Sequence, residues 1–184
     1  MSNMTGWERF SQKRFTVRHI ESPVDFIKAY NEALVPPQGP VVVHSDAITR
    51  RWLDQYDNLV WVPEDGGRDA VMTAQAGFTG ISLALLETGT LLLAEDSGYA
   101  RLVSNMVPLH IALIPKNRLV NDWSEALAHL RARDGRVPRI LSWISGPSQT
   151  ADIDGTLIYG MHGPLAVEAW IMPPEENSSL LILS

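Results

Sequence analysis

The sequence contains no cysteine. That excludes thiolate-held iron–sulfur clusters, cysteine-ligated zinc and thiol nucleophiles from this chain. Any redox role therefore needs an electron carrier held elsewhere. Long apolar runs are also missing. Nothing approaches the ~18 residues of a membrane span, and residues 1–20 lack the apolar segment of a signal peptide. A soluble, cytoplasmic protein is expected. Neither a Gly-x-Gly-x-x-Gly nor a Walker A string occurs, which argues against an ordinary dinucleotide or P-loop enzyme. No pair among the five histidines has zincin spacing, so no metal site is expected. Basic residues are outnumbered, 15 Lys and Arg against 21 Asp and Glu, for a net charge of −6. This balance opposes general nucleic-acid binding.

What remains is a chain of 184 residues, of which 45% are hydrophobic. At that size one core buries about 70% of the unfolded surface without disulfide or metal. The N-terminus departs from the acidic balance, because Arg9, Lys13, Arg14 and Arg18 stand there against Glu8 alone. Residues 1–21 read as a basic arm, either a docking segment or a solvated terminus. Residues 22–184 read as one domain.

Ser22-Pro23-Val24-Asp25 has an N-cap, a proline for the first helical position and an acid for the first turn, followed by Ile27, Tyr30 and Leu34 at helical spacing. Val41-Val42-Val43 reads as a buried strand, Ser45-Asp46 as the cap of a helix carrying Ile48, Trp52 and Tyr56, and Leu59 to Val62 as another strand. Strand and helix patterns alternate onward through Thr90 to Ala94, Tyr99 to Met106, His110 to Ile114 and Trp123 to Arg133, the last with Trp123, Leu127 and Leu130 on one face. Ile140 to Ile144 and Leu165 to Met172 complete the strands. The alternation predicts an α/β fold, a mostly parallel sheet with helices on both faces. The apolar Leu180 to Leu183 is expected to add an edge strand, here or in a second copy of the chain.

Ligands of open α/β sheets bind beyond the carboxyl ends of strands. Three loops stand out on that ground. In the first, Glu87 lies between two apolar runs, before Thr88-Gly89-Thr90; partial burial would make it a general acid, base or nucleophile, and the alternative is a turn residue facing water. In the second, Ser145-Gly146-Pro147-Ser148-Gln149-Thr150 runs toward Asp152 and Asp154, so its backbone N–H groups either bind an anion or simply start a capped segment. It is neither an EF-hand loop nor a nucleophile elbow. The third, Gly160-Met161-His162-Gly163-Pro164, puts a histidine in a tight turn. His110 opens a strand near the other strand end, His44 ends one, and Arg101 could neutralise an anion.

Taken together these strings resemble the LUD-domain family, in its lactate-utilisation protein C branch. The resemblance rests on Gly80-Ile81 through Glu87-Thr88-Gly89-Thr90-Leu91, on Arg101-Leu102 through Pro108, on His110-Ile111-Ala112-Leu113, and on Ser145-Gly146-Pro147-Ser148 through Ala151-Asp152-Ile153 to Gly160, His162, Gly163 and Pro164. It covers roughly residues 70–172. Asp154 stands where the family has glutamate and Leu86 where it usually has alanine. The resemblance implies a fold like that of the ribose-phosphate isomerase, glucosamine-phosphate deaminase and coenzyme A transferase (NagB/RpiA/CoA transferase-like) group. It also implies a part in oxidising L-lactate to pyruvate beside partner proteins that carry iron–sulfur clusters.

With no cofactor of its own, this chain would be an accessory or substrate-handling component. It would bind a small carboxylate or phosphate through Thr88, Gly89, Thr90, Arg101, His110, Ser145, Gly146, Ser148, Thr150, Asp152 and Gly163, with Glu87 and His162 as candidate catalytic groups. A homodimer is compatible with this composition. Glu87-Thr88-Gly89 further resembles the Glu-Asn-Gly of coenzyme A transferases, which leaves an acyl- or phosphoryl-transfer enzyme acting through Glu87 as one alternative and a small-anion binding module as another.

Overall fold

The computed structural model describes residues 6–34, 39–63, 67–132, 137–151 and 157–175. In chain order these form α1 (Gly6–Gln12), β1 (Phe15–His19), α2 (Pro23–Leu34), β2 (Val41–His44), α3 (Ala47–Leu53), β3 (Leu59–Val62), α4 (Arg68–Thr73), β4 (Ala76–Gly80), β5 (Leu83–Leu85) and β6 (Thr90–Glu95). There follow α5 (Tyr99–Met106), β7 (Leu109–Pro115), β8 (Leu119–Val120), α6 (Trp123–Ala132), β9 (Ile140–Ile144), β10 (Gln149–Ala151), β11 (Leu157–Tyr159) and β12 (Ala166–Met172).

The expected parallel sheet is present with six strands in the order β1-β12-β7-β4-β2-β3, every neighbouring pair parallel. Its central strands are buried on both faces, and the period of two divides their side chains between two cores. On one face Val41, Val43, Phe78, Ile111, Leu113, Trp170 and Met172 pack with Phe26 and Ala29 of α2 and Ile48 and Leu53 of α3. On the other, Val42 and Val62 meet Val71 of α4 and Val103 of α5. Farther along that same face, Ala112, Ile114, Val167, Ala169 and Ile171 meet Phe10 of α1 and Ile81, Ala84, Leu91 and Leu93.

Those last residues lead into an element not expected from the sequence, a second sheet of order β8-β5-β6-β9. Its β5–β6 and β6–β9 pairs are antiparallel, and β5–β8 is parallel. One face lies on the large sheet and the other packs Leu83, Leu85, Leu92 and Ala94 against Ala126 and Leu130 of α6. The uninterrupted run Leu83 to Leu86 therefore reflects burial on both faces.

Three local expectations change. Ile27 is exposed, because the buried stripe of α2 begins one position earlier at Phe26. Trp123 and Leu127 of α6 are exposed, and Ala126 and Leu130 face the sheet instead. The basic arm is built into the fold: β1 is the edge strand beside β12, and Phe10 and Phe15 are buried against each other with ring centroids 5.2 Å apart. Arg18 on β1 donates through Nε to Glu168 Oε2 at 2.7 Å, and Trp170 Nε1 donates to the same oxygen at 2.8 Å. The tail from Ser178 to Ser184, with its expected edge strand, lies outside the described residues. Among the described residues no helix is long and apolar enough to cross a membrane.

Candidate functional site

Two of the sequence-selected loops meet. Thr88 Oγ1 donates to Thr90 Oγ1 at 2.9 Å, and Thr90 Oγ1 lies 2.9 Å from Ser145 Oγ, 55 residues away in the chain. This hydroxyl row joins the β5–β6 turn to the end of β9. Gly89 (φ 60°) and Gly146 (φ 125°) flank it in left-handed backbone that L side chains rarely adopt. Both glycines also allow close approach by the N-terminal segment: a Cβ on Gly89 would stand 2.9 Å from the Arg9 carbonyl, and one on Gly146 would collide with the Lys13 carbonyl oxygen. Both positions are thus explained by the docking of α1 and the turn after it.

That docking brings a basic segment to the site. Arg9 and Lys13 belong to the segment lying on the two glycine turns, and the Arg14 guanidinium sits 4.2 Å from the centroid of the Tyr159 ring on β11. The backbone of the basic N-terminal segment thus lies beside the two glycine turns that flank the hydroxyl row.

The third loop is knitted to the second. Ser148 N–H donates to Pro164 O at 2.9 Å, Gly160 N–H to Ser148 O at 2.9 Å, and His162 N–H to Ser148 Oγ at 3.3 Å. Gly163 lies against the Ser148 side chain and the Asn105 carbonyl of α5. Thr150 pairs with Ile158 in the β10–β11 hairpin. Leu165 and Ala166 N–H both donate to Pro108 O, so this knot sits at the amino ends of β7 and β12. Carboxyl ends are the expected ligand position; these turns gather at the opposite edge because the β10–β11 hairpin carries the chain back before β12 begins. The His162 side chain is exposed. Asp152 and Asp154 lie outside the described residues.

Three further candidates are Glu87, whose water-facing alternative is the one found, Arg101 and His110. Glu87 is exposed, since Leu86 and Glu87 N–H groups bond Val120 O and Asn121 O and turn the side chain outward at the hairpin tip. Arg101 is exposed on the first turn of α5, away from the hydroxyl row in sequence, and its N–H donates to Glu95 Oε1 at 2.7 Å. Glu95 Oε2 also accepts from Gly98 and Ala100 N–H, so an internal carboxylate already occupies the start of α5. His110 is fully buried, and desolvation pushes its imidazole down to about 3. A neutral ring cannot balance a carboxylate, so the expected charge-neutralising role of His110 is withdrawn. Among the described residues no group of three or more His, Asp or Glu side chains converges as metal ligands.

Sequence reasoning noted His44 as a strand end but did not select it. Its Nδ1 lies 3.0 Å from Asp46 Oδ2 at the carboxyl edge of β2. The short spacing His-Ser-Asp at a strand-to-helix junction was the available signal.

A six-stranded parallel sheet with a small mixed sheet docked on one face, and clustered hydroxyl and glycine turns beside the N-terminus, defines the class of this α/β protein. The chain belongs to the LUD domain family, whose profile matches residues 43–171. It is 38% identical over 110 residues to lactate utilization protein C of Shouchella clausii, covering 58% of this chain and 48% of that one. The protein of the same name from Anoxybacillus flavithermus is 34% identical over 135 residues, 69% of this chain and 60% of the relative. That of Halalkalibacterium halodurans is 40% identical over 111 residues, 58% and 48% respectively. The chain thus spans about half to three-fifths of the length of these relatives. In fold it resembles the crystal structure of a DUF162 family protein from Deinococcus radiodurans, with a TM-score of 0.64 at 21% identity, covering 91% of this chain and 96% of that one.

Proposed function

We propose that this protein takes part in lactate utilisation as a cytoplasmic, cofactor-free component of an L-lactate oxidation system, handling a small carboxylate while iron–sulfur partner proteins carry the electrons. The supporting observation is the run of turns around Thr88, Thr90, Ser145 and Ser148, with the backbone of the segment that carries Arg9 and Lys13 against its two glycines. Hydroxyl donors beside a basic segment suit a small carboxylate or phosphate. Family membership and the names of the relatives supply the lactate context. A sequence without cysteine has no thiolate to hold an iron–sulfur cluster, which supports placing such clusters on partner proteins in this reading. His162, exposed at the rim, and the hydroxyl row are the groups that would meet the ligand.

Deleting the gene in its host, with partner genes intact, is expected to abolish growth on L-lactate as sole carbon source, and a plasmid copy should restore it. Unchanged growth would sink the proposal. Tagged protein from lactate-grown cells should also bring down cysteine-rich partners containing iron.

A further inference from the structure

At the carboxyl edge of the large sheet, opposite the turns above, His44 ends β2 and Asp46 precedes α3. All four hydrogen-bonding positions used on Asp46 are filled. Oδ1 accepts from Ile48 and Thr49 N–H, each at 2.9 Å, and Oδ2 accepts from Gly80 N–H at 3.0 Å and faces His44 Nδ1 at 3.0 Å. The backbone of His44 is pinned too, because Thr49 Oγ1 donates to its carbonyl at 2.6 Å. A carboxylate only accepts, so Nδ1 carries the hydrogen in the neutral ring and Nε2 keeps its lone pair. The His44 side chain retains 14% of its surface in solvent, and among the described residues no hydrogen bond to Nε2 is formed.

The sheet topology adds an independent reason to expect a ligand here. From β2 the chain leaves into α3 on one face, while from the neighbouring β4 it leaves through Ile81 into the small sheet on the other face. The carboxyl ends of adjacent strands whose exits diverge are the usual ligand position in open α/β sheets. Gly80 ends β4 on this edge, and a Cβ there would collide with Asp46 Oδ1. The glycine keeps the carboxylate in reach of both strands.

We propose that His44 and Asp46 form a proton-transfer site, separate from the hydroxyl-row turns, in which Nε2 takes the hydrogen of water or a neutral alcohol. Asp46 is the positioning residue: it fixes the tautomer and holds the imidazolium formed. The pair with a neutral ring bears one negative charge, which selects an uncharged hydroxyl over a carboxylate. This assignment is independent of the lactate reading and survives or fails without it.

The test reaction is hydrolysis of p-nitrophenyl acetate by the purified protein at pH 8. Water gives a proton to Nε2 as its oxygen bonds the acyl carbon, p-nitrophenolate leaves with the electron pair of the broken bond, and the proton passes from Nε2 to solvent. The rate above buffer should fall at least tenfold in His44→Gln and in Asp46→Asn, and hold in His129→Gln. Nitrogen-15 NMR of the wild-type protein should show hydrogen on Nδ1 of His44, and Asp46→Asn should move it to Nε2; this reads the Asp46 contact, while the rate loss in His44→Gln separates proton transfer from a purely structural cap. The proposal is overturned if His44→Gln keeps the wild-type rate, or if the wild-type ring carries its hydrogen on Nε2. The tautomer measurement stands even where a variant fails to fold.

Discussion

His110 Nε2 lies 2.8 Å from Thr79 Oγ1 across two neighbouring strands, and both side chains are wholly buried. The other ring nitrogen, Nδ1, has no hydrogen-bond partner among the described residues. The tautomer that leaves a bare lone pair there, with hydrogen on Nε2 donating to Thr79, avoids burying an unpaired N–H. Thr79→Val removes that acceptor and leaves the ring without any bond. Loss of about 1–3 kcal/mol is expected, measured by urea denaturation against the wild type.

The same histidine makes stability depend on pH in one direction. Its folded-state value of about 3 lies below the unfolded value of 6.5. Between these pH values the unfolded chain binds a proton that the folded chain refuses, so stability falls as pH falls from about 6.5 toward 3. The slope from this one group approaches 1.4 kcal/mol per pH unit, roughly the full value for one proton. Above pH 7 it contributes no slope. Denaturation series at pH 7.5, 6, 5 and 4 should show the extra slope in wild type and its loss in His110→Gln, each variant compared with its own value at pH 7.5.

Gly146→Ala places a methyl group against the Lys13 carbonyl at a positive φ. The turn after α1 must move, which frees Phe10 from its pocket. A destabilisation of about 2–4 kcal/mol is expected from the combined backbone and packing loss. Hydrogen exchange should rise first across residues 6–19; uniform change across the sheet would contradict the clasp.

Glu87→Gln alters an exposed turn residue and should move stability by no more than about 0.5 kcal/mol. If lactate growth is nevertheless lost in that variant, Glu87 meets a ligand or partner directly. Unchanged growth assigns it to the turn alone.

Glu95→Ala opens the start of α5, leaving the N–H groups of Gly98, Ala100 and Arg101 without their carboxylate. The expected cost is about 1–2 kcal/mol, that of a lost helix cap, read as a lower thermal midpoint.

Val41 to His44, Ala47 to Leu53, Leu59 to Val62, Thr90 to Glu95 and Tyr99 to Met106 are legible because each is written in a few consecutive residues: β-branched or aliphatic runs for buried strands, Asp46 for a cap, an apolar stripe for the amphipathic helix; α4, β4 and β5 between them are not, since Ala76 to Gly80 carries two glycines and little β-branched character. Phe15 to His19 was not legible as a strand. Its alternation of polar and apolar residues includes Arg18 and His19, and only pairing with β12, with Glu168 against Arg18, gives that segment a place. The short β10 and β11 strands were hidden likewise, since three residues carry too little periodicity to register.

The sequence by itself determined the fold class, the family, the lack of cysteine and the identity of the glycine and hydroxyl turns, because composition, local periodicity and motif order are properties of the chain read along its length. Only the tertiary structure decided that those turns stand at the amino edge of the sheet, that Gly89 and Gly146 receive the backbone of α1, that His110 is neutral in the core, and that His44 meets Asp46 and Gly80 at the opposite edge. Each of these depends on strand order and solvent exclusion. Both arise from contacts between residues far apart in the chain, which local pattern does not encode.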